Sequence, residues 1–181
     1  VNRNAGALKT LLEQILDLRK YESHKMELAA VQTDASEFLR GIAELFKPLA
    51  DQLQIQFSQE IPNDPLILWI DRRKMEIVIA NLLYNAFKYS RKSSGKVNLV
   101  CEEQQLSVTI SVEDNGIGMT KERLNQVRGG LTTKIEDSND FYGLYNVNER
   151  IRLKFGEEYG LSIDSVLQEG TCVEVWLPWE S

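Results

Sequence analysis

The stretch from Asp71 to Tyr89 constrains the fold more than any other part of this chain. Met75, Val78, Ile79, Leu82, Leu83 and Phe87 recur at three- and four-residue spacing, the pattern of one buried helical face. Asp71 can cap that helix, because its side-chain oxygen accepts from the first free backbone N–H groups. Downstream the period changes. Residues 96–102 and 106–112 alternate as the two strands of a hairpin joined by Glu103-Gln104-Gln105 do. A long helix followed by a hairpin, without strict βαβ alternation, points to a mostly antiparallel sheet covered by helices on one face.

The remaining segments fit that α+β plan. Residues 27–33 read as a short strand. Asp34 or Thr33 then caps a helix carrying Phe38, Leu39, Ile42, Leu45, Phe46 and Leu49, which ends near Asp51. Residues 53–59 alternate, with Ile55 and Phe57 on one face, and Pro62 and Pro65 bracket a turn before a compact, apolar, buried strand at 66–70. A helix is expected at 120–127 and another at 143–155. Strands at 160–167 and 171–177 flank Glu169-Gly170. No repeat or linker interrupts 26–179, so that span is one domain. Residues 1–22 form a separate unit, an amphipathic helix striped by Leu8, Leu11, Leu12, Ile15 and Leu16. It either packs in the same domain or pairs outside it. The first residue is Val, so we expect a piece of a longer protein.

Composition narrows the function. A net charge of −6 argues against a non-specific nucleic-acid binder, so no nucleic-acid partner is expected. Two cysteines far apart and a single histidine, His24, nearly exclude a zinc site or a disulfide framework. No apolar run reaches the roughly 18 residues of a membrane span.

Four segments carry chemistry. Asn81, Asn85 and Lys88 share one face of the 71–89 helix, opposite its apolar stripe. Amide oxygens suit Mg²⁺ and a lysine supplies charge for phosphate; the same face also fits an ordinary solvated surface. Asp114-Asn115-Gly116-Ile117-Gly118-Met119 follows the strand ending at Val112. Its glycines let backbone approach a ligand and its acid can accept from an exocyclic amine, or it is a plain capped turn. It lacks the third glycine of a dinucleotide fingerprint and the Gly-Lys-Ser/Thr of a phosphate loop. The polar run from Arg128 to Leu144, bounded by Gly129-Gly130 and Gly143, is long enough to be a lid. Gly170-Thr171 reads as a hairpin turn.

Taken together and in this order, these motifs closely resemble the catalytic ATP-binding domain of bacterial two-component sensor histidine kinases, of the GHKL ATPase superfamily. The resemblance covers 26–179 and implies a two-layer α/β sandwich. Residues 1–22 look like the second half of the second dimerisation helix of such kinases.

The resemblance implies ATP and Mg²⁺ as cofactors. Asn85 would coordinate the Mg²⁺ and Lys88 would contact phosphate. Tyr89 would line or stack on the adenine. Asp114 would bond the adenine amino group, with Gly116, Ile117, Gly118 and Met119 beneath the base. Gly143 and Leu144 would end the ATP lid, with phosphate near a helix N-terminus, and Thr171 would sit under the adenine. Asn81 stands where gyrase and chaperone relatives carry a glutamate that activates water. An amide cannot take that proton, which fits a kinase that keeps the γ-phosphate for an acceptor histidine. Before Gly143 this chain carries Phe141 and Tyr142 where the family commonly has glycines.

His24 lies after the second helix, so the acceptor is expected upstream, outside this chain. The implied partners are that histidine, a response regulator, and a second copy in the full-length homodimer. The implied location is cytoplasmic, in a parent that can be an inner-membrane sensor. Other readings are a degenerate nucleotide-binding scaffold without kinase activity, or a related GHKL serine kinase or ATPase.

Overall fold

The computed structural model describes residues 30–91, 94–132 and 142–179. The expected helix at 1–22, His24, and the central part of the expected lid fall outside these residues. In chain order the elements are β1 (Val31–Asp34), α1 (Ala35–Leu53), β2 (Gln56–Glu60), β3 (Ile67–Ile70), α2 (Arg72–Tyr89), β4 (Lys96–Glu103), β5 (Ser107–Asp114), α3 (Lys121–Thr132), α4 (Tyr142–Phe155), β6 (Gly160–Val166) and β7 (Gly170–Pro178).

Asp34 starts α1 as expected. Its Oδ1 accepts from the amides of Ser36 at 2.9 Å and Glu37 at 3.2 Å, and also from the amide of Leu66 at 3.2 Å. One carboxylate oxygen thus joins β1, α1 and the entry to β3. The helix passes Asp51 and ends at Leu53, with Gln54 left-handed at φ 56° and its amide returned to Ala50 and Asp51. Those two extra helical residues and the Gln54 cap move the start of β2 to Gln56, three residues later than the alternation suggests.

Five strands form the main sheet in the order β2-β4-β5-β7-β6. All neighbours are antiparallel except β2 and β4, whose parallel pairing spans β3 and α2. β1 and β3 pair antiparallel as a separate two-stranded sheet. This corrects the expectation of a buried strand at 66–70. Leu68 and Ile70 are buried, whereas Ile67 and Trp69 are exposed, because only one face of the small sheet meets the core.

The core lies between α1, α2 and the inner face of the main sheet. Val97, Leu99 and Cys101 of β4, Val108, Ile110 and Val112 of β5, and Val175 and Leu177 of β7 meet the stripes of both helices. Phe87 packs on Phe46 with centroids 5.8 Å apart and meets Phe57 edge-on at 5.3 Å. Leu99, wholly buried, is central. Leu99→Ala is expected to cost about 2–5 kcal/mol, read as a lowered denaturant midpoint with an unchanged slope.

A smaller cluster of Leu124, Val127, Leu131 and Ile163 lies under α3. It explains why α3 reaches Thr132, although the sequence suggests an end at 127. Residues 124, 127 and 131 share a face, and burying Leu131 outweighs the poor helix propensity of Gly129-Gly130. Those glycines therefore belong to a helix and do not open the lid.

Candidate functional site

The site is built on the C-terminal half of α2, the end of β5 and the β6–β7 turn. Asp71 caps α2 by accepting from the Lys74 amide at 3.2 Å, and Lys74 Nζ stands 3.4 Å from its other oxygen. The inward stripe then turns Asn85 and Lys88 outward, where both are exposed. Asn81 is half-buried. Its Nδ2 is enclosed and has no hydrogen-bond partner. An enclosed donor left unmade costs about 1–3 kcal/mol, which makes it a feature to explain by use. Lys88 Nζ lies 5.0 Å from the Tyr89 ring centroid, so its charge rests against an aromatic face.

β5 runs two residues beyond Val112, so Asp114 is its last residue and not part of the following turn. Asp114 pairs with Val97 of β4 and Thr171 of β7. Strand alternation puts its side chain on the helix-facing side with Val112 and Ile110. The carboxylate accepts from the Gly116 amide at 2.7 Å and from the Thr171 amide. Burial nevertheless pushes its pKa up, and the two amide bonds only partly oppose that.

The loop after Asp114 is stitched down by its backbone. Ile117 donates to the Tyr89 carbonyl at 3.2 Å and accepts from the Gln168 amide at 2.8 Å, while its side chain stays exposed. Asn115 Nδ2 donates to the Ser94 carbonyl at 2.9 Å, and Asn115 Oδ1 accepts from the Lys96 amide at 2.7 Å. The glycines meet close backbone. A Cβ at Gly116 would stand 2.3 Å from the Tyr89 carbonyl oxygen. Gly118 adopts φ +60°, and its Cβ would lie 1.9 Å from the Val166 oxygen.

Gly170, expected only as a turn residue, has a second role. At φ +139° it brings β7 against the end of β5, where a Cβ would stand 1.9 Å from the Asp114 oxygen. Ser165 Oγ donates to the Gly170 carbonyl at 2.8 Å and lies 3.0 Å from Thr171 Oγ1. Arg91 reaches over to donate to the Gln168 carbonyl. Sequence reasoning missed Arg91 and the role of the Asn115 side chain because their partners lie far away in the chain, and Ser165 because its bonds across the β6–β7 turn carry no motif of their own.

Gly143 and Leu144 stand in the first turn of α4. Leu144 packs against both hydrophobic clusters, and Met119 packs against the smaller one. Asn148, one turn further along α4, is buried and was not singled out from the sequence.

The structure thus brings Tyr89, Asp114, Gly116, Ile117, Gly118 and Thr171 together by direct bonds or close packing, with Asn81, Asn85 and Lys88 on the adjoining helix. A recessed carboxylate on a glycine floor can accept from an amino group on a flat ring. Exposed amide and ammonium groups alongside suit phosphate. Among the described residues no group of three His, Cys, Asp or Glu side chains gathers as a metal site. Asn85 fits Mg²⁺ in the other mode, with few protein ligands and the remainder from phosphate and water. Both thiols are pushed up to about 12, Cys101 chiefly by burial, as is Cys172, so thiolate chemistry has no place here.

Residues 70–181 match the family model described as histidine kinase-, DNA gyrase B- and HSP90-like ATPase. Hybrid signal transduction histidine kinase D of Dictyostelium discoideum is 34% identical over 146 residues, covering 74% of this chain and 9% of that protein. Histidine protein kinase DivJ of Caulobacter vibrioides is 28% identical over 184 residues, covering 98% of this chain and 30% of that protein. The chain therefore spans less than a third of these curated relatives. Among solved structures, the histidine kinase ThkA in complex with the response regulator TrrA superposes with a TM-score of 0.67 at 20% identity, covering 99% of this chain and 50% of that one. Full-length ShkA in complex with AMPPNP gives 0.69 at 20% identity, covering 95% and 36%. At that identity the structures establish the mixed, mostly antiparallel α/β fold.

Proposed function

Because this chain belongs to the family of histidine kinase-, DNA gyrase B- and HSP90-like ATPases, we propose that residues 26–179 are the ATP-binding catalytic domain of a two-component sensor histidine kinase. It transfers the γ-phosphate of ATP to a histidine on a dimerisation helix outside this chain. The observation that carries the reading is Asp114, half-buried at the end of β5, oriented by the Gly116 and Thr171 amides above glycines that admit no side chain.

In this reading Asp114 accepts from the adenine amino group, and Gly116 and Gly118 keep the floor beneath the base flat. Tyr89 lines the base. Asn81 lies one turn before Asn85 on the same helix, and Lys88 leaves its aromatic support to pair with the phosphates. Asn85 offers its amide oxygen to Mg²⁺, which when bound neutralises phosphate charge as the phosphoryl group transfers. Gly143 and Leu144 set the first turn of α4, where free N–H groups favour an anion. Residue 81 offers no basic oxygen to activate water, which favours transfer over hydrolysis. Residues 1–22 are proposed as the end of the second dimerisation helix. The wider partners are then a second copy of the parent and a response regulator, with this domain in the cytoplasm. Among the described residues no helix is long and apolar enough to cross a membrane.

Calorimetry with Mg–ATP tests the reading, followed by phosphotransfer in trans to a dimerisation-helix pair bearing the acceptor histidine. Saturable binding and an acid-labile phosphohistidine are expected. Asn85→Ala is expected to slow transfer by about 100-fold, a loss of about 2.7 kcal/mol of transition-state stabilisation. Absence of ATP binding would overturn the reading. Rapid ATP turnover without an acceptor would replace it with a hydrolase.

A further inference from the structure

Asn148 takes no part in the reading above, yet both ends of its amide are engaged inside the protein. It is only 4% exposed. Its Nδ2 donates to the Leu131 carbonyl at 2.9 Å, and its Oδ1 accepts from the Leu161 amide at 2.7 Å. The first bond satisfies one of the carbonyls that the end of α3 would otherwise leave free. The second holds the beginning of β6. Gly160, at φ +134°, makes this approach possible, since a Cβ there would stand 2.3 Å from Asn148 Oδ1. One side chain of α4 therefore sets the spacing of three elements.

A second tie runs in parallel. Arg128 of α3 donates through Nε to the Ile163 carbonyl at 2.8 Å, and its guanidinium pairs with Asp164. Between these ties lies the small cluster of Leu124, Val127, Leu131 and Ile163, on which Met119 and Leu144 pack. Met119 ends the glycine loop and Leu144 lies in the first turn of α4. Displacing α4 from α3 and β6 would therefore move Leu144 relative to Met119.

We propose that Asn148 is a positioning residue for the phosphate end of the nucleotide site, fixing the first turn of α4 against α3 and β6. This rests on the ATP-binding reading. The chemistry selects an amide, because one group must donate to one backbone and accept from another. Aspartate keeps the bond from Leu161 but sets a carboxylate against the Leu131 carbonyl. Alanine loses both bonds. The base end of the site, around Asp114, hangs on β5 and β7 and should not sense the change.

The test uses the full 181-residue chain and follows the Gly116 amide by NMR during titration with Mg–ATP and, separately, with adenosine. Asn148→Asp is expected to weaken ATP about tenfold, equivalent to about 1.4 kcal/mol, and to leave adenosine within about twofold. A merely structural role would shift both ligands alike or neither, and either result overturns the proposal. Should Asn148→Asp and Asn148→Ala fail to fold, Gly160→Ala decides, since its Cβ would stand 2.3 Å from Asn148 Oδ1 and press on that amide from β6. It is expected to weaken ATP about threefold, a change of about 0.7 kcal/mol, with adenosine unchanged. An unchanged ATP affinity there overturns the proposal. A wild-type chain without ATP affinity sinks the ATP-binding reading itself, and this inference with it, a result distinct from the others.

Discussion

Asp114→Asn is expected to weaken ATP binding by about 10- to 150-fold while leaving the fold as stable as before or more so, because a hydrogen bond to a charged group contributes about 1.5–3 kcal/mol. The substitution is nearly isosteric. The remaining carbonyl oxygen can still accept from Gly116, whose amide lies 2.7 Å away. What disappears is the anionic acceptor facing the ligand, and an amide NH₂ can take its place there and repel the adenine amine. Stability should move the other way. The Asp114 pKa is raised chiefly by burial. Between its unfolded and folded values the native state binds more protons than the unfolded state, so stability falls as pH rises through that window. Above it the folded protein carries an ionised carboxylate that it disfavours. The amide variant would carry no charge there. Calorimetry for ATP and thermal melts at pH 4 and pH 8 check both halves. The wild type should lose more stability than the variant between those two pH values.

Gly170→Ala is expected to be the more damaging change, and to act through backbone alone. Its φ of +139° is one that alanine rarely adopts, and the new Cβ would stand 1.9 Å from the Asp114 carbonyl oxygen and 2.9 Å from Asn115 Cα. Neither atom belongs to a flexible side chain that could swing away. Left-handed strain and forced separation of packed groups each cost about 1–3 kcal/mol, so a total near 4 kcal/mol is expected. For a domain of this size that lowers Tm by about 8–16 °C. If β7 yields instead, the Asp114–Thr171 pair opens and ATP affinity falls with little loss of Tm. A variant with wild-type Tm and wild-type affinity would show that the close approach of β7 to Asp114 is not required.

Legibility followed the range of the forces involved. α2 was readable because its stripe, its Asp71 cap and the absence of Gly or Pro all act within a few residues. The β4–β5 hairpin was readable for the same reason. Asp34 was recognisable as a cap, but its third bond, to the Leu66 amide, was not, since that partner lies far along the chain. The separate β1–β3 sheet and the parallel β2–β4 pair depend on which distant strands meet, and no local period encodes that. The end of α3 was misjudged because Gly129-Gly130 locally signals a break, whereas burial of Leu131 is a tertiary effect. At the site, the motif residues Asp114, Gly116 and Gly118 announced themselves by composition and spacing. The Gly170–Asp114 contact and the Asn148 amide did not, because each is meaningful only once two remote backbones have been brought together.

The small sheet also determines how the domain can be moved. The preceding chain enters at β1, and its ladder joins only β3; among the described residues the two sheets share no ladder. A pull or twist arriving from residues before 30 therefore meets the two-stranded ribbon and, through the Asp34 cap, α1, before it reaches β2 at the edge of the five strands. From β3 the only direct covalent route onward is Asp71 and α2, a rod of 18 residues, about 27 Å long, whose far end presents the Tyr89 carbonyl to the Ile117 amide. The entry is thus coupled to the site through the two helices that cover the sheet: α1 leads from β1 to β2 at the sheet edge, and α2 carries the Tyr89 carbonyl to the edge of the glycine floor.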